Sequence, residues 1–270
     1  ATLVAEARPG CPFVHPAWSV TWAKHHVAEQ DLEFLAFRLD NPDGELVGMA
    51  PMHRRRRSLG FARSVALLPV GAGYDDALTE VVEIVARPDR RQDILRAMVA
   101  HVEYVDDADW AQLPVGPEQG WMLPQWIDDP RRRVLLHRTT KACVVLDELP
   151  ERSDMVLPGL KRNLRESLRR TRNRSARLGG VTYSCVDDPD EIEVAVEHLV
   201  RLHGARSEVS GKVKHAHVLR DGAAEFLREA VARLADVGLA QVHLARHLDK
   251  PVAAQLVPVS YTHLTLPTKA

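Results

Sequence analysis

GLKRNLRESLRRTRNRSARLGGVTYSCVDDPDEIEVAVEHLVRLHGAR, residues 159–206, carries helix, strand and helix signals in succession. Leu160, Leu164, Leu168, Thr171, Ser175 and Leu178 recur every three or four residues, the spacing of one helix face. Pro158 suits the first turn of that helix, and Gly179-Gly180 supplies the stop. The stripe is expected to pack on the body of the protein. Lys161, Arg162, Arg165, Arg169, Arg170, Arg172, Arg174 and Arg177 occupy the other faces, with Glu166 the one acid among them. Residues 181–186 then read as a strand and 189–203 as a second helix.

Working outward, residues 222–237 read as a helix, and 239–247 with 252–257 as a hairpin around Leu248-Asp249-Lys250-Pro251. Toward the N-terminus, residues 16–27 form a short helix with Trp18, Trp22 and either His25 or His26 along one face. Residues 32–39 and 45–53 pair across the Asn41-Pro42-Asp43-Gly44 turn, and a run of four arginines, Arg54 to Arg57, follows. A strand over 65–70 closes on Gly71-Ala72-Gly73-Tyr74-Asp75-Asp76. Residues 91–104 are helical by period, 110–115 form a short strand, and 134–146 hold one or two more. The polar, two-proline stretch 148–158 marks a boundary. Strands and helices mix in both halves without strict βαβ alternation. The expected fold is therefore mixed α/β (α+β), with lobes at 1–150 and 151–258.

Composition narrows the class. The 270 residues are 45% hydrophobic and 27% charged, which is globular and not disordered. A net charge of -1 argues against a bulk polyanion binder, and no apolar run reaches the roughly 20 residues of a membrane helix. Cys11, Cys143 and Cys185 are odd in number and widely spaced, so they form no disulfide framework and suit a reducing, cytoplasmic setting. There is no HExxH, CxxC or compact carboxylate cluster, so no metal is expected. There is no GxSxG turn either.

Three features bear chemistry. The basic helix 160–178 is either a solvated face neutralised by the acidic stretches at 106–109 and 187–193, or an anion surface for a phosphorylated cofactor, RNA or an anionic lipid. His203 and Arg206 stand one turn apart. Such a pair suits a general base beside a carboxylate or phosphate clamp, although a lone His on an apolar helix face is commonly structural. Asp75 and Asp76, after the glycines, favour a hydroxyl, amine or ammonium group over a bare phosphate. Equally, that loop reads as a polar cap for the next helix.

Taken in order, the segments resemble one family. Pro12-Phe13 with Pro16-Ala17-Trp18, the stretch Glu45-Leu46-Val47-Gly48-Met49-Ala50-Pro51-Met52, Gly73-Tyr74-Asp75-Asp76, Lys161-Arg162-Asn163-Leu164-Arg165 and Leu202-His203-Gly204-Ala205-Arg206 follow its pattern. Phe226 and the Leu248-Asp249-Lys250-Pro251-Val252-Ala253-Ala254 hairpin complete it. The resemblance is to the CelD-like, Fem-related branch of the GNAT superfamily, built as two tandem GNAT-like lobes. It implies transfer of an acyl group, usually acetyl from acyl-CoA, to an amine or hydroxyl of a small-molecule or glycan-precursor acceptor in polysaccharide or envelope biosynthesis. It implies His203 or Asp75, beside Tyr74, as the base. Arg206, Lys161, Arg162, Arg165 and Arg169 would then face the phosphates of CoA or of a tRNA-type donor. The competing class is a binding module that uses helix 160–178 on RNA or an anionic surface. The usual pyrophosphate loop of the superfamily, R/Q-x-x-G-x-G/A directly before a helix, does not occur in the chain.

Residues 259–268 (VSYTHLTLPT) carry no charge and resemble the conceptual translation of a sequencing adapter. The expectation is a non-native tail over 259–270 and an incomplete second lobe.

Overall fold

A fourteen-residue strand, β2 (Leu46–Leu59), is the spine of the first sheet in the computed structural model, which describes residues 2–7, 12–59, 62–73, 78–79, 82–104, 107–114, 161–209 and 222–259. The strands expected at 134–146, the boundary at 148–158 and residues 260–270 lie outside the described residues. β1 (Leu32–Arg38) runs antiparallel along the first part of β2, and β3 (Ala62–Pro69) along its second. β4 (Val85–Ala86) joins β2 at Met49 and Gly48, while β5 (Trp110–Ala111) runs parallel to β3. The turn at 41–44 forms as its sequence predicts. The Gly44 N–H donates to the Asn41 carbonyl at 3.0 Å, with Gly44 at φ 55°.

The four arginines fall inside β2, not after it. Pairing with β3 continues through Arg57 opposite Ser64, so the cross-strand hydrogen bonds outweigh the charge of the run. Alternation then sends successive arginines to opposite faces. Arg54 reaches Glu33 at 3.0 Å and also Asp107, and Arg56 pairs with Asp31.

Helices cover both faces of this sheet. α1 (Thr2–Ala7) and α2 (Pro16–His26) lie on one side, and α3 (Arg91–Tyr104) on the other. Ile94, Leu95 and Met98 of α3 pack on Ala50, Met52 and Leu67. Gly48 permits that approach, because a Cβ there would lie 2.5 Å from Ile94 Cδ1. On the opposite face His53 is fully buried, 5.4 Å from the Trp22 ring, and its Nε2–H donates to the Ala72 carbonyl at 3.0 Å. Burial holds this imidazole below its ordinary pKa.

In the second half, α4 (Arg162–Arg177) precedes an antiparallel sheet of β6 (Thr182–Val186), β7 (Ala240–His247) and β8 (Lys250–Pro258). α5 (Pro189–Glu208) and α6 (Ala223–Ala235) lie between β6 and β7 in sequence. Ala240, Val242 and Leu244 alternate into a core shared with both helices. The β7–β8 turn is tighter than the expected four-residue cluster. Leu248 and Asp249 both take left-handed φ (47° and 62°), a two-residue turn whose twist matches the strands, and Lys250 and Pro251 already belong to β8. The whole is a mixed α+β architecture.

The largest core cluster draws on both halves. Trp18 and Trp22 of α2 are buried against Phe226, Leu227 and Ala230 of α6, together with Ile192 and Val196 of α5. Trp18 meets Phe226 edge-on at 5.0 Å and Phe13 at 4.9 Å. Each such aromatic pair adds about 0.5–1.5 kcal/mol beyond its area burial. Beside this core Glu229 of α6 gathers Lys24 (2.9 Å) and His25 (2.8 Å) of α2, and Arg233 (2.9 Å) of its own helix. Hydrogen bonds from Lys24 and His25 hold its carboxyl down at about 2. A carboxyl so depressed stabilises the fold above its unfolded pKa of 4.5 and loses that contribution as pH falls toward 2. Glu229→Gln is expected to be less stable than the parent at pH 6 and to lose less stability between pH 4.5 and 2. Urea midpoints across that range check it, and parallel curves would contradict it.

Candidate active site

α5 begins with an Asp188 cap, whose side chain accepts from the Asp190 N–H at 2.9 Å, and with Pro189 in its first turn. Ile192, Ala195 and Val196 are buried, and Leu199 and Val200 pack on the same core. His203 continues that line four residues after Leu199 but is only half-buried. The reason is position. His198 already sits near Arg246, the penultimate residue of β7, and five further residues advance the helix about 7–8 Å. Burial first, then the charges of Arg201 and Arg246, hold His198 below its ordinary pKa. Arg206 is exposed one turn beyond His203. Both lie within α5, which runs through Glu208 and not only to His203 as its sequence suggested. Ser207, expected in a loop, donates within the helix to the Gly204 carbonyl at 2.7 Å.

α4 departs from expectation. None of its residues is buried, and Leu164, Leu168 and Leu178 are 48%, 50% and 62% exposed. Among the described residues nothing buries the leucine stripe, and the helix is tied to the fold at its C-terminal end. There Gly179 and Gly180 take left-handed φ, the Gly180 N–H closes on the Ser175 carbonyl at 2.9 Å, and His247 Nδ1–H donates to the Gly180 carbonyl at 2.9 Å. The sixteen residues of α4 span about 24 Å from that tether. Lys161, at the N-cap, and Arg162, Arg165 and Arg169 therefore occupy its outer part, all exposed, with Arg162 on Glu166 at 3.1 Å. Arg174 and Arg177 are nearest the tether.

His247 holds the tether, and Arg246 beside it in β7 is close enough to His198 of α5 to act on its charge. Arg201, His203 and Arg206 lie on the last turns of α5 with Glu208, and Arg246 and Lys250 flank the β7–β8 turn with Asp249. Cationic side chains attract phosphate or carboxylate.

Tyr74, Asp75 and Asp76 lie outside the described residues, but both approaches to them are held. His53 binds the Ala72 carbonyl, and Trp18 Nε1–H donates to Thr79 Oγ1 at 2.9 Å.

Among the described residues no three His, Cys, Asp or Glu side chains form a metal-type group. His25 goes to Glu229, while His26 stacks 5.1 Å from Trp22 and 5.2 Å from Phe226. His215 and His217 lie outside the described residues. One pair escaped the sequence reading. Cys185 Sγ lies 3.9 Å from His243 Nε2, because β6 and β7 place the two directly opposite. Only the strand register reveals it. Burial and Asp187 push the Cys185 thiol up, so it is poorly suited to be a nucleophile.

The second half thus places two helices, α5 and α6, between the first and second strands of an antiparallel sheet. Residues 162–267, from the start of α4 past the end of β8, match the family described as acetyltransferase (GNAT) domain. The match covers the second half of the chain alone and supports an acetyltransferase enzyme of the GNAT type. Comparison with curated protein sequences gives no match.

The exposure of the α4 stripe makes a direct prediction. Leu164→Gln and Leu168→Gln are each expected to change stability by less than about 0.5 kcal/mol. Leu234→Ala, in the fully buried face of α6, is expected to cost about 2–5 kcal/mol. Urea midpoints compare them, and a large loss from Leu168→Gln would show that the stripe packs after all.

Proposed function

We propose that the protein moves an acyl group, acetyl from acetyl-CoA in the simplest case, to an amine or hydroxyl of a small-molecule acceptor. The observation that carries this reading is the match of residues 162–267 to the acetyltransferase (GNAT) domain family, with His203 and Arg206 on the last turns of α5. Acyl-CoA supplies a thioester carbonyl and several phosphates. Arg206 and the α4 cations are the partners of the phosphates. His203 takes the proton from the acceptor nitrogen or oxygen as the new bond to the acyl carbon forms. The carbon–sulfur bond then breaks, and the thiolate leaves and is protonated. Asp75, beside Tyr74, is the alternative base.

The finer reading places the enzyme in the CelD-like, Fem-related branch, in the cytoplasm, acting on a precursor of a polysaccharide or the cell envelope. The ordered set of segments from Pro12-Phe13 to the β7–β8 hairpin supports it, as does the lack of any described helix long and apolar enough to cross a membrane. The tRNA-type donor remains the other source of phosphates for α4.

Release of free thiol from acetyl-CoA, followed with a panel of amines, amino sugars and hydroxyl acceptors, tests the reading. His203→Gln is expected to lower kcat/KM by about 10²–10⁴ at neutral pH. Arg206→Gln is expected to raise the KM for acetyl-CoA about tenfold with a smaller change in kcat. Unchanged turnover in His203→Gln with loss in Asp75→Asn would move the base to the loop, and turnover unchanged in both would overturn the assignment.

A further inference from the structure

The arginine-rich part of β2 builds a second anion-attracting feature, on the first sheet and outside the acyltransferase domain. Arg54 and Arg56 face carboxylates on one side of the sheet. Arg55 and Arg57 face the other side, where they line a shallow cavity of about 90 Å³ with Ser64, Leu68, Trp110 and Gln112. The register explains the grouping. Arg57 stands opposite Ser64 and Arg55 opposite Ala66, which in turn pairs with Trp110 on β5. Buried Leu68 forms the floor, and half-exposed Trp110 forms a wall.

Gly73 keeps this space open. A Cβ at that position would lie 2.3 Å from Leu68 Cδ1 and 3.5 Å from Arg55 Nη1, and its φ of +90° also favours glycine. The volume equals about three water molecules, which suits an anionic head group and not a whole nucleotide. Two guanidinium groups, a hydroxyl and a carboxamide supply donors above an apolar floor. Guanidinium groups bind planar or tetrahedral oxyanions in bidentate fashion, and an indole face stacks on a flat or apolar body.

We propose that this cavity binds a small ligand carrying a carboxylate or phosphate monoester, with the anionic head at Arg55 and Arg57 and the body against Trp110. The site lies on the first sheet, next to the segment that carries the alternative base, and its binding test needs no acyl transfer. Titration calorimetry of the full chain with phenyl phosphate, benzoate, inorganic phosphate and benzyl alcohol tests it. Saturable binding of phenyl phosphate or benzoate is expected, the stronger of the two identifying the head group, with none for benzyl alcohol. Inorganic phosphate is expected to bind more weakly than phenyl phosphate, since it leaves Trp110 uncovered. Arg57→Gln and Trp110→Ala are each expected to weaken binding about tenfold, and Arg96→Gln, on exposed α3 surface, to leave it unchanged. Arg57 is exposed, so its variant keeps the fold and the test even if Trp110→Ala unfolds. Absence of saturable binding by both aromatic anions, equal binding of benzyl alcohol, or indifference to Arg57→Gln would overturn the proposal.

Discussion

The docking of α2 on α6 is the constraint on which the rest of the structure depends. Trp18 and Trp22 come from the first thirty residues, while Phe226, Leu227 and Ala230 come from more than two hundred positions later. Their burial makes one core from chain segments that the sequence assigns to different lobes. The edge-on Trp18–Phe226 contact fixes how the helices cross, and the Glu229 cluster of Lys24, His25 and Arg233 flanks it. Ion pairs at this exposure add little by themselves. Their value is to favour one seating of α2 over rotated alternatives that would bury the same tryptophans.

That seating also reaches both candidate sites. Trp22 packs on His53, which holds Ala72, and Trp18 holds Thr79, so these two residues are held in place by the helix that docks on the second half. The same α6 packs on α5, whose buried face Ile192–Val196 sets the direction in which His203 and Arg206 emerge. A shift of α2 would therefore disturb Ala72, Thr79 and the α5 end together. Phosphates and a proton acceptor demand placement more than elaborate chemistry, and this packing supplies the placement.

Much of the fold was legible because its signals are local. The period of residues 91–104 predicts α3 to the residue, and the Asn41-Pro42-Asp43-Gly44 cluster predicts the β1–β2 turn. The mismatches share a cause, which is that pairing and packing are not local. Arg54 to Arg57 look like a solvated run until β3 is placed beside them. The leucines of α4 look like a buried face, yet among the described residues they are about half exposed and the helix is tied near Gly180. His203 and Arg206 were visible as residue types at helical spacing, yet their half-buried and exposed settings follow from where β7 ends. The Cys185–His243 pair and the Arg55–Arg57 cavity were invisible without the strand register.

Native-state hydrogen exchange tests the central claim most directly, by comparing amides of α2 with those of α6 as denaturant is raised. If the two helices share one core, their most protected amides will converge on a single opening free energy and open together. Loss of protection in α2 at low denaturant, with α6 still protected at its full value, would contradict the account.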